Sequence, residues 1–415
     1  MSYYKHIKNL SHKMSYIVKR TPLEYNGRLS DKYGAKIYMK REDLQFSRSY
    51  KLRPAYAKIL SIDTGNNNNK FVCASAGNFA QSVAYLSKKL NIKSDIFLPN
   101  SCNLQKVDRI KKLGDPNLCT LHFHGDVFDD CLEYSILFSE MNNSTFLHPY
   151  DDKACVNGNA TIAHEIVNQM KENNEDIDMI IGSIGGGGLM GGISKYIKEV
   201  GPNNCLVHGV ESENSNSMAI SLQQNKRIKL ENDDTFIDGS AVKQPGKITF
   251  DICRQYIDEV HTVLNNRVCY DIIDLYQDDG IILELAGAMP ISVLHKIKDK
   301  IKGKTIVLVF SGSNNDIKKY NEICNRKLLY ENRLHYYVIQ FYQKPNQLRN
   351  FIKNVLSTND DIIRFEYLKK DNNGSGSVLI GIDTDNVSQF SNKLTANGYG
   401  HEKLCENDLL YKYLV

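Results

Sequence analysis

Four short segments carry residue types that could do chemistry. Ser49-Tyr50-Lys51-Leu52-Arg53 follows the charged run Lys40-Arg41-Glu42-Asp43 and puts a lysine just after a polar loop, near the start of a predicted helix. An amine there, with its pKa lowered by its surroundings, can hold a carbonyl compound as a Schiff base. Ser75-Ala76-Gly77-Asn78 lies between a strand end and a helix start. Ligands of parallel sheets bind at such ends, and unpaired N–H groups of a helix start can hold a carboxylate. Gly185-Gly186-Gly187-Gly188-Leu189 occupies the same kind of junction. Four glycines let the backbone wrap an oxygen-rich anion with its N–H groups inward, a phosphate cup. No Lys-Ser/Thr follows it, so it is not a Walker loop, and the acidic ribose partner of a dinucleotide site is missing. Ser311-Gly312-Ser313-Asn314 closes an apolar strand and can offer a hydroxyl to a ring nitrogen. Taken singly, each segment also suits a solvated lysine, a capped turn or a plain loop. Together the four are far more specific.

The elements that must position these residues follow a regular rhythm. Strand-like Ala35–Met39, Lys70–Ala74, Ser94–Leu98, Met179–Ile184, Leu206–Val210 and Thr305–Phe310 alternate with helix-like Ser49–Ser61, Phe79–Leu90, Gln105–Leu113 and a helix opening at about Leu189. Such alternation predicts a mostly parallel sheet covered on both faces by helices. After about Lys327 the pattern changes. Arg333–Tyr342 alternates as a half-buried strand, with Tyr337, Ile339 and Phe341 on one side. A helix over Pro345–Leu356, strands over Asp361–Lys370 and Ser377–Asp383, and a helix over Val387–Asn397 complete a small α+β domain. The expected division is 1–327, with a smaller subdomain at about 50–150, and 328–415. The runs Asn66–Asn69 and Asn372–Gly376 read as short polar loops.

Bulk properties exclude several classes. The chain has 415 residues, 41% hydrophobic and 24% charged, with a net charge of +4, and no basic block interleaved with aromatics, so nucleic acid is not an expected partner. No apolar run reaches the ~18 residues of a membrane span, and residues 1–20 lack the apolar core of a signal peptide. The expected location is cytoplasmic. The ten cysteines are scattered without a CxxC pair, so no metal site is expected and the thiols should be reduced.

In order and placement the four segments resemble the fold-type II enzymes that use pyridoxal 5'-phosphate (PLP). Among these the chain is similar to the biosynthetic threonine dehydratases (threonine deaminases) in their short form, with one ACT-like domain. Further matching segments are Lys40–Gln45, Gly209-Val210-Glu211, Asp238–Gly246 with Thr249-Phe250, Glu284 with Ala286-Gly287-Ala288, and, in the tail, Phe365-Glu366-Tyr367 and Ile380-Gly381-Ile382. The resemblance runs from about Tyr16 to Val415. It implies two α/β subdomains around the cofactor. Lys51 would carry PLP and act as general base, Gly185, Gly186, Gly187, Gly188 and Leu189 would hold its phosphate, Asn78 its ring hydroxyl and Ser311 its ring nitrogen. Ser75, Ala76, Gly77, Asn78 and Phe79 would bind the substrate carboxylate. The implied reaction is dehydration and deamination of L-threonine (or L-serine) to a 2-oxo acid and ammonia, in isoleucine biosynthesis. The resemblance also implies an ACT-like domain binding isoleucine, with Arg349, Phe365 and Glu366 on its matching segments, and a homodimer or homotetramer.

The chain departs from the family pattern close to the chemistry. Phe79 replaces a histidine and Ser82 a glycine of Ser-Ala-Gly-Asn-His-Ala-Gln-Gly. Pro54 stands within Lys-Leu-Arg-Gly-Ala-Tyr, Ser313 within Ser-Gly-Gly-Asn, and Leu285 where proline is usual. A proline inside a helix removes a donor, and a residue with φ > 0 strains a serine. Two other readings therefore stay open. One is β-elimination or β-replacement on another β-substituted amino acid. The other is a non-catalytic homologue acting as a binding or regulatory protein.

Overall fold

The computed structural model describes residues 2–62, 70–231, 234–367, 374–405 and 407–414; the run Asn66–Asn69, and Asn372 and Asn373 of the second polar loop, lie outside them. Two compact units result, Met1–Asp316 and Ile317–Val415.

The strands of the first unit are, in chain order, β1 (Leu23–Tyr25), β2 (Lys36–Arg41), β3 (Phe71–Ala74), β4 (Ser94–Leu98), β5 (Cys119–Phe123), β6 (Thr145–Phe146), β7 (Met179–Ser183), β8 (Leu206–Ser212), β9 (Glu259–Val263) and β10 (Thr305–Phe310). They form a six-stranded sheet ordered β1-β2-β10-β7-β8-β9 and a four-stranded sheet ordered β5-β4-β3-β6. All pairings are parallel except that of β1 with β2. The central strands β3, β7 and β10 are buried at every position, as continuous apolar runs between two helical layers should be. Strand β1, at three residues, is too short to leave a periodic signal in the sequence.

Helices Leu52–Leu60, Asn78–Leu90, Leu104–Leu113 and Gly188–Val200 stand where the periodicity places them. The twenty-residue helix Lys153–Glu172 does not show in the sequence pattern; its buried residues surround it, mixing Ala, Gly and Asn with Ile and Val, so it has no polar face to set a period. It packs against two of the helices above through glycines. A Cβ on Gly192 would lie 2.4 Å from the Val156 carbonyl oxygen, and one on Gly158 2.7 Å from the Cβ of Ala57.

A buried ionic network lies beneath the loop that carries Lys51. Arg53 bridges Glu42 and Glu165 at 2.8 Å each, and Lys40 reaches Glu165 at 2.7 Å. Two cations face two carboxylates, so the desolvated charges balance. Burial works to raise the Glu165 carboxyl, but Arg53 and Lys40 hold it below its ordinary value.

The second unit is an antiparallel sheet ordered β12-β13-β11-β14, from β11 (Leu334–Tyr342), β12 (Asp361–Tyr367), β13 (Ser375–Asp383) and β14 (His401–Lys403). Tyr337, Ile339 and Phe341 do share one face, packed with Phe351, Phe390 and Leu394 from helices Gln347–Asn354 and Val387–Ala396. The first of these starts later than its proline suggests, because Asn346 adopts φ 69° and turns the chain just before it. On the other face Leu334, Tyr336 and Leu404 pack with Leu328 and Leu329 of helix Tyr320–Tyr330. That helix spans the boundary expected at 327/328 and belongs to the second unit.

Candidate active site

The four segments converge at the ends of β3, β7 and β10. Lys51 is the residue before helix Leu52–Leu60, and its loop is tied to the end of β10. The Tyr50 N–H donates to the Ser311 carbonyl at 3.0 Å, and that of Ser313 to the Arg48 carbonyl at 2.9 Å. Asn78, the first residue of its helix, is tied to the same strand end. Its side-chain oxygen accepts from Asn314 Nδ2 at 2.7 Å, and its Nδ2 donates to Glu284 Oε1 at 2.8 Å. Lys51 and the glycine loop share one cleft, lined also by Tyr50, Tyr150, Ser183, Gly239 and Val242. Lys51 Nζ donates to the Pro149 carbonyl at 3.0 Å.

The glycine loop is held open from behind. Gly187 takes φ +91°, where a side chain would be strained and a Cβ would meet the methyl of Met218 at 2.6 Å. Thr249 Oγ1 donates to the Gly186 carbonyl at 2.6 Å. Asp151 fixes the helix that bears Thr249, accepting from the backbone N–H groups of Lys247, Ile248 and Thr249. Glu211, in the matching Gly-Val-Glu segment, accepts from the N–H groups of Met218 and Ala219. Burial pushes its carboxyl up to about 8, against the pull of those two N–H groups.

PLP asks for an anion cup, a lysine, and polar groups for its ring, and the chain offers each. None of the backbone N–H groups of Gly185 to Leu189 donates to a protein acceptor among the described residues. Five uncommitted donors at the start of helix Gly188–Val200 suit a phosphate. The hydroxyl of Ser311, a residue 4% exposed, has no hydrogen-bond partner among the described residues, so it is free for a ring nitrogen. Burial pushes the Glu284 carboxyl up to about 7, while Asn78 and the N–H of Asn314 pull the other way. Each hydrogen bond of Asn78 fixes the amide that would face the ring hydroxyl.

The segment expected to bind a carboxylate divides. Ser75, Ala76, Gly77 and Asn78 are partly open to solvent, and Ser75 Oγ accepts from the Gly77 N–H at 3.2 Å. The backbone N–H groups of Asn78, Phe79 and Ala80 are uncommitted at the helix start. The Phe79 ring, 1% exposed, belongs to the apolar core with Leu52, Phe71 and Val83. It can offer substrate only its backbone N–H. The other departures are equally unstrained. Pro54 sits in the first turn of its helix, where the missing N–H costs nothing. Ser313 is absent from the residues with positive φ. Ser82 Oγ pairs with Ser47 Oγ at 3.1 Å and with the Asn78 carbonyl at 2.8 Å. Leu285 is the first residue of a helix. Sequence reasoning missed Tyr150 and Asp151 as parts of the site. Their only sequence signal is the Tyr-Asp-Asp turn ahead of a helix.

Known proteins resemble this chain over most of its length. Residues 14–312 match the family described as "Pyridoxal-phosphate dependent enzyme", and residues 325–414 the "C-terminal regulatory domain of Threonine dehydratase". The chain is 42% identical over 404 residues to the L-threonine dehydratase biosynthetic IlvA of Staphylococcus saprophyticus, covering 96% of this chain and 95% of that protein. It is 42% identical over 402 residues to the protein of the same name from Halalkalibacterium halodurans, covering 96% of each. Among solved structures, the processed form of threonine deaminase isoform 2 from Solanum lycopersicum superposes with a TM-score of 0.73 at 33% identity, over 79% of this chain and 88% of that one. A second threonine deaminase, from T.th., gives 0.70 at 26% identity, over 75% and 98%. The chain belongs to the pyridoxal-phosphate-dependent threonine dehydratase family.

Proposed function

We propose that this protein is an ammonia-lyase that converts L-threonine to 2-oxobutanoate and ammonia, with L-serine as a second substrate. The observation that carries this reading is one cleft lined by both the Lys51 amine and the uncommitted N–H groups of Gly185–Leu189. PLP, bound there, supplies the electron sink that makes the α-proton of an amino acid acidic. Lys51 would carry the cofactor, and its free amine would take the α-proton as general base. The N–H groups of Asn78, Phe79 and Ala80, with Ser75, hold the substrate carboxylate. Asn78, fixed by Glu284 and Asn314, and Ser311 fix the ring. Ser311 is neutral and does not demand a protonated ring nitrogen, which suits prompt loss of the β-hydroxyl. Since Phe79 lies in the core and Pro54, Ser82, Ser313 and Leu285 cause no strain, the departures from the family pattern leave threonine chemistry in place.

The unit Met1–Asp316 is assigned to catalysis and Ile317–Val415 to regulation by an amino acid, isoleucine, which lowers turnover and places the enzyme in isoleucine biosynthesis. We assign the protein to the cytoplasm as a homodimer or homotetramer; among the described residues no helix is long and apolar enough to cross a membrane.

The test is absorbance of the holoenzyme during addition of L-threonine, with 2-oxobutanoate followed in parallel. A shift of the cofactor band with product release supports the reading. An unchanged band without product refutes it. Lys51→Ala should lower turnover by roughly 10²–10⁴-fold or more, the usual share of a general base. Full turnover in that variant without added amine would remove Lys51 from its role.

A further inference from the structure

The first unit carries a second cluster of ligand-type side chains that the reaction does not use. His208 lies on β8, and Glu259 and His261 on β9, the edge strand of the six-stranded sheet. His208 is paired in register with Glu259, and His261 stands two residues further along. Paired residues of a parallel sheet, and residues two apart on a strand, point to one face. The three side chains therefore share a face for a reason built into the register.

Their atoms are already close. His208 Nδ1 and His261 Nε2 lie 3.0 Å apart, and one ligand atom from each of the three residues falls within 4.8 Å of the others. Two nitrogens bound to one tetrahedral ion at 2.0–2.1 Å would be about 3.3 Å apart, so a shift of a few tenths of an ångström admits the ion between the rings. The contact between the rings also requires one nitrogen to present its lone pair to the other, so one imidazole is already in ligand form. Glu259 is half-exposed and free to swing in, held among the described residues by Lys300 at 3.4 Å and His261 Nδ1 at 3.5 Å. Lys300 is itself 63% exposed and can withdraw to solvent. The second nearby lysine, Lys296, is committed to the Thr262 carbonyl at 2.8 Å.

We propose that His208, His261 and Glu259 form a site for a borderline divalent transition ion such as Zn²⁺, with water in the fourth position. Two imidazoles and one carboxylate suit zinc, nickel or copper and not magnesium. The ion would staple the five-residue edge strand β9, which has a neighbour on one side only, to β8. Its site does not include the cofactor cleft, whose wall begins at Ser183 and the glycine loop.

The experiment is thermal melting of the full-chain holoenzyme, stripped of metal, with added Zn²⁺ or, as control, Mg²⁺. Variants Glu259→Gln and His261→Asn are melted beside it. An ion that binds only the folded chain raises the melting temperature. A rise of a few degrees is expected with Zn²⁺, none with Mg²⁺, and in both variants most of the rise should vanish. Glu259→Gln changes an exposed side chain, so it stays informative should His261→Asn fold poorly. With Cu²⁺ as a probe, electron paramagnetic resonance should show coupling to two nitrogens in the wild type. No shift with Zn²⁺, or an equal shift in wild type and Glu259→Gln, would overturn the proposal; an equal shift in both variants would place the ion elsewhere, as on exposed thiols such as Cys324 and Cys405.

Discussion

A methyl group at position 186 would lie 2.3 Å from the Tyr150 ring, closer than any carbon contact allows. Gly186→Ala must therefore push that ring away or draw the loop out of shape, at a cost of roughly 1–3 kcal/mol. The expected outcome is a folded protein that holds PLP about 5–150-fold more weakly, checked by absorbance after dialysis against graded PLP. Glu211 offers a second test, of pH dependence. Its folded pKa, about 8, lies above the ordinary value of 4.5. Between these values the folded state keeps a proton that the unfolded state has released. Its contribution to stability is thus full below about 4.5 and declines until about 8. Glu211→Gln cannot ionise. The melting temperature of the wild type should fall relative to that of the variant as pH rises from 5 to 8, on the order of several degrees. Parallel curves would show that Glu211 is already ionised in the folded protein.

At the scale of elements, the site depends on how closely three helices approach. Helix Gly188–Val200, whose first turn bears the proposed phosphate donors, meets helix Lys153–Glu172 at Gly192, with the Val156 carbonyl and the Ala160 N–H 2.4 and 2.8 Å from an added Cβ. Both obstacles are backbone and cannot rotate away. Gly192→Ala should separate the helices and destabilise the protein by about 3 kcal/mol, with a lower midpoint in urea. Phosphate binding should weaken with it, because the cup is the start of the displaced helix. The glycine matters here for its size, whereas Gly187 matters for its φ of +91°.

For the whole molecule, each unit has its own apolar core. The first is built around β3, β7 and β10, and the second around Tyr337, Phe341 and Phe390. A chain ending at Asp316 keeps every residue of the cleft and cuts before helix Tyr320–Tyr330, which supports the second sheet. This truncation should retain its PLP absorbance and at least a tenth of its turnover, and lose any response to isoleucine. Turnover against threonine concentration, with and without isoleucine, in both chains is the measurement. A truncated protein that isoleucine still inhibits would place the effector site in residues 1–316.

Much of this was legible in the sequence, because the rules that write it are local. The strands read at Ser94–Leu98 and Thr305–Phe310 coincide with β4 and β10 to the residue, the second because a strand buried on both faces reads as a continuous apolar run. The glycine loop reads as an anion site because glycines can release many N–H groups at once, and its N–H groups are uncommitted among the described residues. Tertiary structure decided the rest. Strand β9, half-exposed at the sheet edge, and helix Lys153–Glu172, buried around its girth, lack the pattern that burial on one side imposes. No spacing in the chain says that Phe79 turns into the core rather than toward substrate, or that Tyr150 closes over Gly186 and Glu284 holds Asn78 from 206 residues away. Those contacts join elements far apart in sequence. A one-dimensional pattern records which side of an element is buried, and the fold alone determines what that side meets.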